Sequence, residues 1–223
     1  MRMRKKKNLI PRLERCGELI ITEPEKMRGV WREKTGFGRL FLELGCGKGR
    51  FTAETAKTLN DTLIAAVERV PDAMVMAAER AVSEELASVR FIDMDAMRLC
   101  EVFSPGEADR IYINFCDPWP GNRHTKRRLT AGGFLRLYRE VLKDGGEIHF
   151  KTDNSELFEF SLEEFAANGF SLHEVTRDLH ENGPCGIMTD YEQKFYSQGI
   201  KINRCVARKE ELPDEISGSS VDS

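Results

Sequence analysis

Short apolar runs rich in β-branched and aromatic residues alternate with helical stretches along most of this chain. The predicted strands span about 39–44, 62–68, 89–92, 110–115, 147–151, 170–175 and 200–207. The predicted helices span about 50–59, 71–86, 96–103, 133–142 and 155–168, and a loop with a short helix fills 177–196. This alternation predicts an α/β fold, built on an open, doubly wound and mainly parallel seven-stranded sheet.

Acidic side chains lie at or just beyond the ends of the first five predicted strands. They are Glu43, Glu68, Asp95, Asp117 and Asp153. In open parallel sheets, ligands gather at the carboxyl ends of the strands, near the point where the strand order reverses. Solvation alone is a poor explanation for acids at every one of these ends, so we expect a ligand site there.

A glycine-rich loop follows the first predicted strand and contains Gly45, Gly47 and Gly49. Glycines at such a loop let the backbone approach a nucleotide closely, because side chains there would obstruct it. The dinucleotide fingerprint fails, since Arg50 stands where its third glycine should be. Glu43 precedes the loop, where a fixed negative charge would not help to bind a pyrophosphate.

S-adenosylmethionine fits this loop better than a nicotinamide cofactor. It carries no phosphate, and a carboxylate at Glu43 would attract its sulfonium and ammonium groups. Glu68 ends the second strand, where it can accept hydrogen bonds from ribose hydroxyls, and Asp95 is a candidate contact for the adenine edge. We therefore predict S-adenosylmethionine as the cofactor, although a glycine triplet alone is often only a turn.

The stretch 109–129 joins an apolar strand to an acidic turn and then to a cationic run. Pro118 and Pro120 fix the backbone on both sides of Trp119 and so hold Asp117 at the end of the strand. The run that follows consists of Arg123, His124, Thr125, Lys126, Arg127 and Arg128, and no acid occurs between Gly121 and Arg139. A polyanion could dock on this run while Asp117 faces a smaller ligand. The alternative is a solvated surface loop.

Charge is unevenly distributed along the 223 residues, whose net charge is −3. Residues 1–35 are predicted to form a basic arm and lead-in segment without periodicity up to about residue 15. Residues 36–209 form one domain, and the acidic segment 210–223 is expected to be disordered. No apolar stretch suits a membrane span or a secretion signal, so we expect a cytoplasmic protein. The six cysteines and four histidines are scattered, which predicts reduced thiols and no metal site.

Five motifs resemble those of the bacterial tRNA (guanine-N7)-methyltransferases, in family order. They are Leu42-Glu-Leu-Gly-Cys-Gly-Lys-Gly49, Asn114-Phe-Cys-Asp-Pro-Trp-Pro120, Arg123-His-Thr-Lys-Arg-Arg-Leu-Thr130, Phe150-Lys-Thr-Asp-Asn154 and Thr189-Asp-Tyr-Glu-Gln-Lys-Phe195. The resemblance covers roughly residues 36–207 and implies a Rossmann-like class I methyltransferase fold. It also implies methyl transfer to N7 of a guanine in the tRNA variable loop, at position 46 in tRNA numbering.

The resemblance assigns roles by position. Glu43, Glu68, Asp95 and Asp117 would bind S-adenosylmethionine together with the three loop glycines. Asp153, Thr189, Asp190, Tyr191 and Glu192 would contact the substrate nucleotide, and the run 123–128 would contact tRNA. Gly121 departs from the pattern, because the family usually has a substrate-binding lysine there. The resemblance leaves the oligomeric state open between a monomer and a homodimer.

Guanine N7 carries an exposed lone pair, so positioning should supply most of the rate acceleration. We expect Asp117, or alternatively Asp153, to stabilise the positive charge that appears on the purine. Trp119 and Tyr191 are candidates for stacking on the base, and Glu192 for reading its donor edge. The alternatives are an amino-group methyltransferase, a nicotinamide-dependent oxidoreductase and a noncatalytic RNA-binding protein.

Overall fold

The computed structural model describes residues 8–211 and contains one seven-stranded sheet within that range. Its strands are β1 (Arg39–Leu44), β2 (Thr62–Glu68), β3 (Val89–Asp93), β4 (Ala108–Asn114), β5 (Leu142–Thr152), β6 (Phe170–Thr176) and β7 (Asn203–Lys209). The order across the sheet is β3-β2-β1-β4-β5-β7-β6. Strands β1 to β5 pair in parallel, and β7 runs antiparallel to both β5 and β6. The order reverses between β1 and β4, which is where a ligand site is expected.

The described residues form eight α-helices. They are α1 (Leu9–Glu14), α2 (Trp31–Thr35), α3 (Arg50–Thr58), α4 (Pro71–Ser83), α5 (Leu99–Val102), α6 (Gly132–Val141), α7 (Ser155–Ala167) and α8 (Asp190–Ser197). Short 3-10 turns occupy Gly17–Leu19, Pro24–Met27, Ala96–Arg98 and Asn122–Arg127.

Helices cover both faces of the sheet, and this explains the continuous apolar strands. All seven residues of β2 are buried, as expected for a parallel strand packed on both sides. One face of the sheet packs against α4 through Ile64 and Phe91. The other face packs against α5, α6 and α7, and α6 presents Phe134, Tyr138 and Val141 to this core at helical spacing.

Most predicted elements are confirmed, and the differences occur where backbone geometry changes abruptly. The last strand begins at Asn203 rather than at residue 200. Strand β4 ends at Asn114, and Phe115 beyond it has a positive φ of 53°, although its N–H group still donates to the Lys151 carbonyl oxygen of β5 at 2.9 Å. The helix predicted over 96–103 is a 3-10 turn followed by the four-residue α5. The chain passes directly from α6 into β5 at Leu142, so the glycines at 145 and 146 lie within a strand rather than ending the helix.

Residues 1–7 of the predicted basic arm lie outside the described range, but the part from residue 8 onwards is more ordered than its sequence indicated. The prediction of no periodicity before residue 15 is wrong for Leu9–Glu14, which forms α1 and packs against α4. Arg12 makes a two-pronged ion pair with Glu79 of α4, with N–O distances of 2.7 and 2.6 Å. The predicted disorder of the acidic tail concerns residues that, beyond 211, lie outside the described range.

Candidate active site and cofactor loop

The glycine loop after β1 has a backbone that other residues would adopt only with strain. Gly45, Gly47 and Gly49 have φ values of 78°, 56° and 75°. A Cβ on Gly49 would lie 2.5 Å from the Cβ of Ala77, so this glycine allows α3 and α4 to approach each other. Within the described range, a Cβ on Gly45 or Gly47 would have no such neighbour within 4 Å. Those two positions leave the backbone open to a ligand.

Glu43 is buried at the floor of this loop with only 2% of its surface exposed. Loss of hydration raises the pKa of its carboxyl group to about 7, although a hydrogen bond from Thr52 and the nearby cation of Lys151 oppose the shift. A bound cation would favour the ionised form of such a group. Glu43 is therefore suited to a positively charged ligand.

Asn114 lies at the end of β4, opposite Lys151 of β5. Its amide also favours the charged form of Glu43. Both polar atoms of this amide are nevertheless buried without a partner at hydrogen-bonding geometry in the part of the chain that the structure describes. Buried polar atoms are normally paired, so this amide is suited to a polar group of a bound cofactor.

Glu68 at the end of β2 supports the glycine loop from the neighbouring strand. Its two oxygens accept hydrogen bonds from the backbone N–H groups of Gly47 and Val70, each at 2.9 Å. An ionised carboxylate has about four acceptor positions. Glu68 therefore retains capacity for the ribose hydroxyls that the sequence predicted it would bind.

Asp95 and Asp153 also lie at the predicted edge of the sheet, and both are exposed. Asp95 caps the turn after β3 by accepting a hydrogen bond from the N–H group of Met97 at 2.9 Å. Asp153 directly follows β5, and its neighbour Asn154 caps α7. The carboxyl ends of β1 to β5 thus bring the five predicted acids to one edge of the sheet.

Asp117 lies on the turn that leaves β4, with 73% of its side chain exposed and the Arg69 guanidinium 3.8 Å away. Phe115 and Trp119, on either side of it, have positive φ values of 53° and 41°. Such values are rare for bulky residues and are found where the surrounding structure imposes them. The turn therefore fixes the backbone from which the exposed Asp117 carboxylate projects into solvent.

Arg128 is the side chain that holds this turn. Its guanidinium donates to the carbonyl oxygens of Pro118 at 2.9 Å and Trp119 at 3.4 Å, and pairs with Glu156 at 2.8 Å. The Arg128 side chain is only 4% exposed. The prediction that Arg128 contacts RNA is corrected accordingly, because this guanidinium is committed to the protein's own backbone.

The rest of the basic run remains at the surface. Arg123, Lys126 and Arg127 are exposed, and His124 and Thr125 are half-buried. The Arg127 guanidinium lies 5.0 Å from the centre of the Trp119 ring, a distance typical of a cation–π contact. Gly121 begins this segment with φ 83° and ψ 146°, a conformation essentially restricted to glycine, so a lysine there would need a different turn.

Helix α8 carries the last predicted substrate residues. Thr189 and Glu192 form a reciprocal capping box, in which each side chain accepts the other residue's backbone N–H group, at 3.0 and 3.2 Å. Asp190 and Tyr191 in the first turn of the helix are exposed, Tyr191 by 62%. The capping box therefore determines where these two side chains lie.

Glu192 itself is fully buried. Its carboxylate accepts hydrogen bonds from Lys151 Nζ at 2.8 and 3.1 Å and from His180 Nε2 at 3.1 Å. The His180 Nδ1 atom accepts the N–H group of Cys185, so the ring proton is on Nε2. This structure gives Glu192 no free oxygen facing a nucleotide, in contrast to its predicted role as a substrate contact. Glu192 instead anchors α8 to β5.

Sequence reasoning missed several residues of this site, namely Arg50, Asn114, Lys151 and His180. Lys151 and Asn114 lay inside recognised motifs, where a polar residue within an apolar strand could have marked them. His180 had no sequence signal, because its partners are distant along the chain. The capping box was readable from the spacing of Thr189 and Glu192.

Among the described residues, no cluster of three or more histidine, cysteine or acidic side chains could hold a metal ion. In the same range, no helix has the length and apolar character of a membrane span. The six cysteines are free thiols, and Cys185 is the exposed one among them.

The fold is shared with many solved methyltransferases. A 16S rRNA (adenine(1408)-N(1))-methyltransferase variant from Catenulisporales acidiphilia with its cosubstrate SAM matches with a TM-score of 0.62 and 14% identity, over 88% of this chain and 95% of that one. The 16S rRNA methyltransferase KamB matches with a TM-score of 0.61 and 14% identity, over 82% and 94%. The antibiotic-resistance methyltransferase Kmr matches with a TM-score of 0.57 and 19% identity, over 81% and 92%.

The strand order, the glycine loop and the row of acids define a Rossmann-like methyltransferase. A family model described as putative methyltransferase matches residues 38–205. The chain belongs to this family, that of the tRNA (guanine-N7)-methyltransferases which its motifs resemble. The predicted cofactor, S-adenosylmethionine, is confirmed by this membership.

Proposed function

We propose that the protein transfers the methyl group of S-adenosylmethionine to N7 of a guanine in the tRNA variable loop. The observation that carries this proposal is the rigid turn at Asp117, which presents a carboxylate at the same edge of the sheet as the glycine loop and just before a cationic surface segment. The motifs along the chain support tRNA as the nucleic acid and the guanine N7 atom as the acceptor. The proposal applies to a cytoplasmic enzyme that acts without a metal ion.

The residues present fit the cofactor. Glu43 and Asn114 would face its charged amino-acid part, Glu68 its ribose and Asp95 its adenine, while the loop glycines allow close backbone approach. The cofactor supplies an electrophilic methyl group on a sulfonium centre. Because N7 needs no deprotonation, the protein has to orient the base and exclude water.

Asp117 would stabilise the positive charge that develops on the purine ring. A carboxylate about 4 Å from a unit charge contributes about 4 kcal/mol at an effective dielectric constant of 20 and about 1 kcal/mol in bulk water. Because the Asp117 side chain is 73% exposed and Arg69 is nearby, its contribution in the absence of RNA should be close to the value for bulk water. A docked tRNA that displaces water would move the contribution towards the higher value.

The cationic segment would bind the tRNA backbone beside the site. Arg123, Lys126 and Arg127 are exposed, and Arg127 lies over the Trp119 ring of the turn that Arg128 holds. Contacts of this kind fix orientation and carry little sequence information. Tyr191 on α8 and Trp119 on the turn are exposed or half-buried aromatic rings that could stack on an extruded base.

The test is a methyl-transfer assay with unmodified tRNA and a radiolabelled donor, followed by mapping of the modified nucleotide. We expect label at N7 of a guanine in the variable loop. Label on an adenine, or no transfer at all, would overturn the assignment. Binding of NAD in place of S-adenosylmethionine would equally contradict it.

The role of Asp117 is tested by Asp117→Asn, with Asp144→Asn as the matched control. Both side chains are 73% exposed and each is paired with one cation, but Asp144 lies at the start of β5, away from the acidic edge. We expect Asp117→Asn to lower kcat by about fivefold to about a thousandfold. Asp144→Asn should retain full activity, and equal turnover in the two variants would remove Asp117 from the mechanism.

A further inference from the structure

Arg50 is the first residue of α3 and directly follows the last glycine of the cofactor loop. Its guanidinium reaches α8, where Nη1 donates a hydrogen bond to Oε1 of Gln193 and lies 3.7 Å from Oδ1 of Asp190. These partners are more than 130 residues away along the chain. Arg50 therefore joins the cofactor loop directly to the helix that carries the proposed substrate residues.

The same helix has a second, buried anchor on the sheet. Glu192 binds Lys151 and His180, which fixes the helix relative to β5. Ile187, just before the helix, packs on the cluster of Phe41, Phe51 and Tyr112. The buried anchor thus sets the position of α8 on the sheet, and Arg50 is the contact that connects it to the loop where the cofactor binds.

We infer that Arg50 is a positioning residue that transmits cofactor binding to α8. When a ligand orders the glycine loop, the start of α3 is fixed with it, and the Arg50 guanidinium then restrains Asp190 and Gln193. The exposed first turn of α8, with Tyr191, is held in a single orientation towards the incoming nucleotide. This inference rests on the proposed function only for the nature of that nucleotide.

The Arg50 contact contributes little to global stability. The Arg50 and Asp190 side chains are 33% and 42% exposed, and ion pairs of that kind stabilise proteins only weakly. Loss of the side chain should therefore leave the protein folded while it uncouples the loop from the helix. Local opening of a surface helix is measurable by amide hydrogen exchange, which separates these two effects.

The first experiment is hydrogen exchange with saturating S-adenosylhomocysteine, the demethylated cofactor. In the wild type we expect slower exchange both in the glycine loop and in residues 189–197. In Arg50→Ala the loop should keep its protection while α8 exchanges as in the free protein. The matched control is Lys57→Ala, which removes an exposed cation from the same helix, paired with Glu54 and Glu84. This control should behave as the wild type.

A mutant cycle identifies the partner. Gln193→Ala should reduce α8 protection, and Arg50→Ala with Gln193→Ala should lose no more than Arg50→Ala alone. Unchanged α8 protection in Arg50→Ala, or additive losses in the double variant, would overturn the inference. Because this arm uses no RNA, it can succeed even if the protein methylates another nucleic acid.

The second experiment separates positioning from chemistry. With the unmodified RNA that the enzyme accepts as substrate, Arg50→Ala should raise KM for the RNA by about three- to tenfold and change kcat by less than twofold, since it removes a hydrogen bond to a charged group. A drop in kcat at constant KM would contradict a positioning role.

Discussion

Replacing Glu192 with glutamine should loosen α8 and leave the choice of base unchanged. Each oxygen of this buried carboxylate accepts a hydrogen bond from Lys151, and one also accepts a bond from His180. Glutamine would point an N–H donor at one of these donors and would leave the Lys151 charge uncompensated. Breaking one side of a buried ion pair typically costs about 3–5 kcal/mol. Burial already lowers the pKa of Lys151, so loss of its proton would relieve part of this cost.

The assay is urea unfolding combined with hydrogen exchange across residues 177–197. The control is Glu159→Gln, which removes an exposed ion pair with Arg177 and should change stability far less than Glu192→Gln does, because exposed ion pairs stabilise proteins only weakly. The variant Lys151→Met with Glu192→Gln should recover about 2 kcal/mol relative to Glu192→Gln alone, because no buried charge remains unpaired. Methionine at 151 can pack on Phe51, which Lys151 already approaches to 5.3 Å.

The refuting result is specific. If Glu192→Gln unfolds like the Glu159 control and instead accepts bases other than guanine, Glu192 faces the substrate and the buried anchor is not its role. Loss of stability with guanine selectivity retained supports the anchor.

Three further outcomes are expected. Burial raises the pKa of Glu43 to about 7, so the folded state holds its proton more tightly than the unfolded chain, and this group's contribution to stability should fall by about 3 kcal/mol as pH rises from about 4.5 to about 7. Burial also lowers the pKa of His149 to about 4, which opposes this trend, so the check is the difference between two proteins: in pH-dependent urea unfolding, Glu43→Gln should gain stability relative to the wild type across this range. Arg127→Gln should weaken tRNA binding and reduce the salt slope by about 1 in filter-binding titrations, whereas Arg128→Gln should mainly lower the melting temperature. Gly49→Ala should destabilise by at least about 1–3 kcal/mol, because its Cβ would meet Ala77 in a backbone unsuited to alanine; a calorimetric midpoint equal to wild type would contradict the close packing.

The sheet and its acidic edge could be predicted because their signals are local. Apolar runs, a glycine loop and acids at strand ends each depend on neighbours along the chain, and parallel strands then bring those ends together. Glu43 and Glu68 were found in this way. The interpretation needed no knowledge of distant contacts.

Burial of polar residues was not predictable in the same way. Arg127 and Arg128 are identical in type and adjacent. Arg127 nevertheless lies exposed over the Trp119 ring, whereas Arg128 is buried and bonds the backbone of the turn. The difference depends on the rotation of a short 3-10 turn and on Glu156 from α7. Glu192 was predicted to read the base, and its burial could not be foreseen because its partner Lys151 is 41 residues away along the chain, on a strand. Such assignments require the tertiary fold.

The residues before the family match also belong to the folded body. Trp31 is completely buried, stacks on Phe103 at 5.3 Å and donates its indole N–H to the Val102 carbonyl oxygen at 3.1 Å. Glu107 accepts the backbone N–H groups of Gly29 and Trp31. A chain that starts at residue 36 would lack the buried Trp31 indole, which leaves a void of that size in the core. The buried Glu107 carboxylate would also lose two of its hydrogen-bond donors. A shortened chain should therefore begin upstream of Gly29, even though the match to the family begins at residue 38.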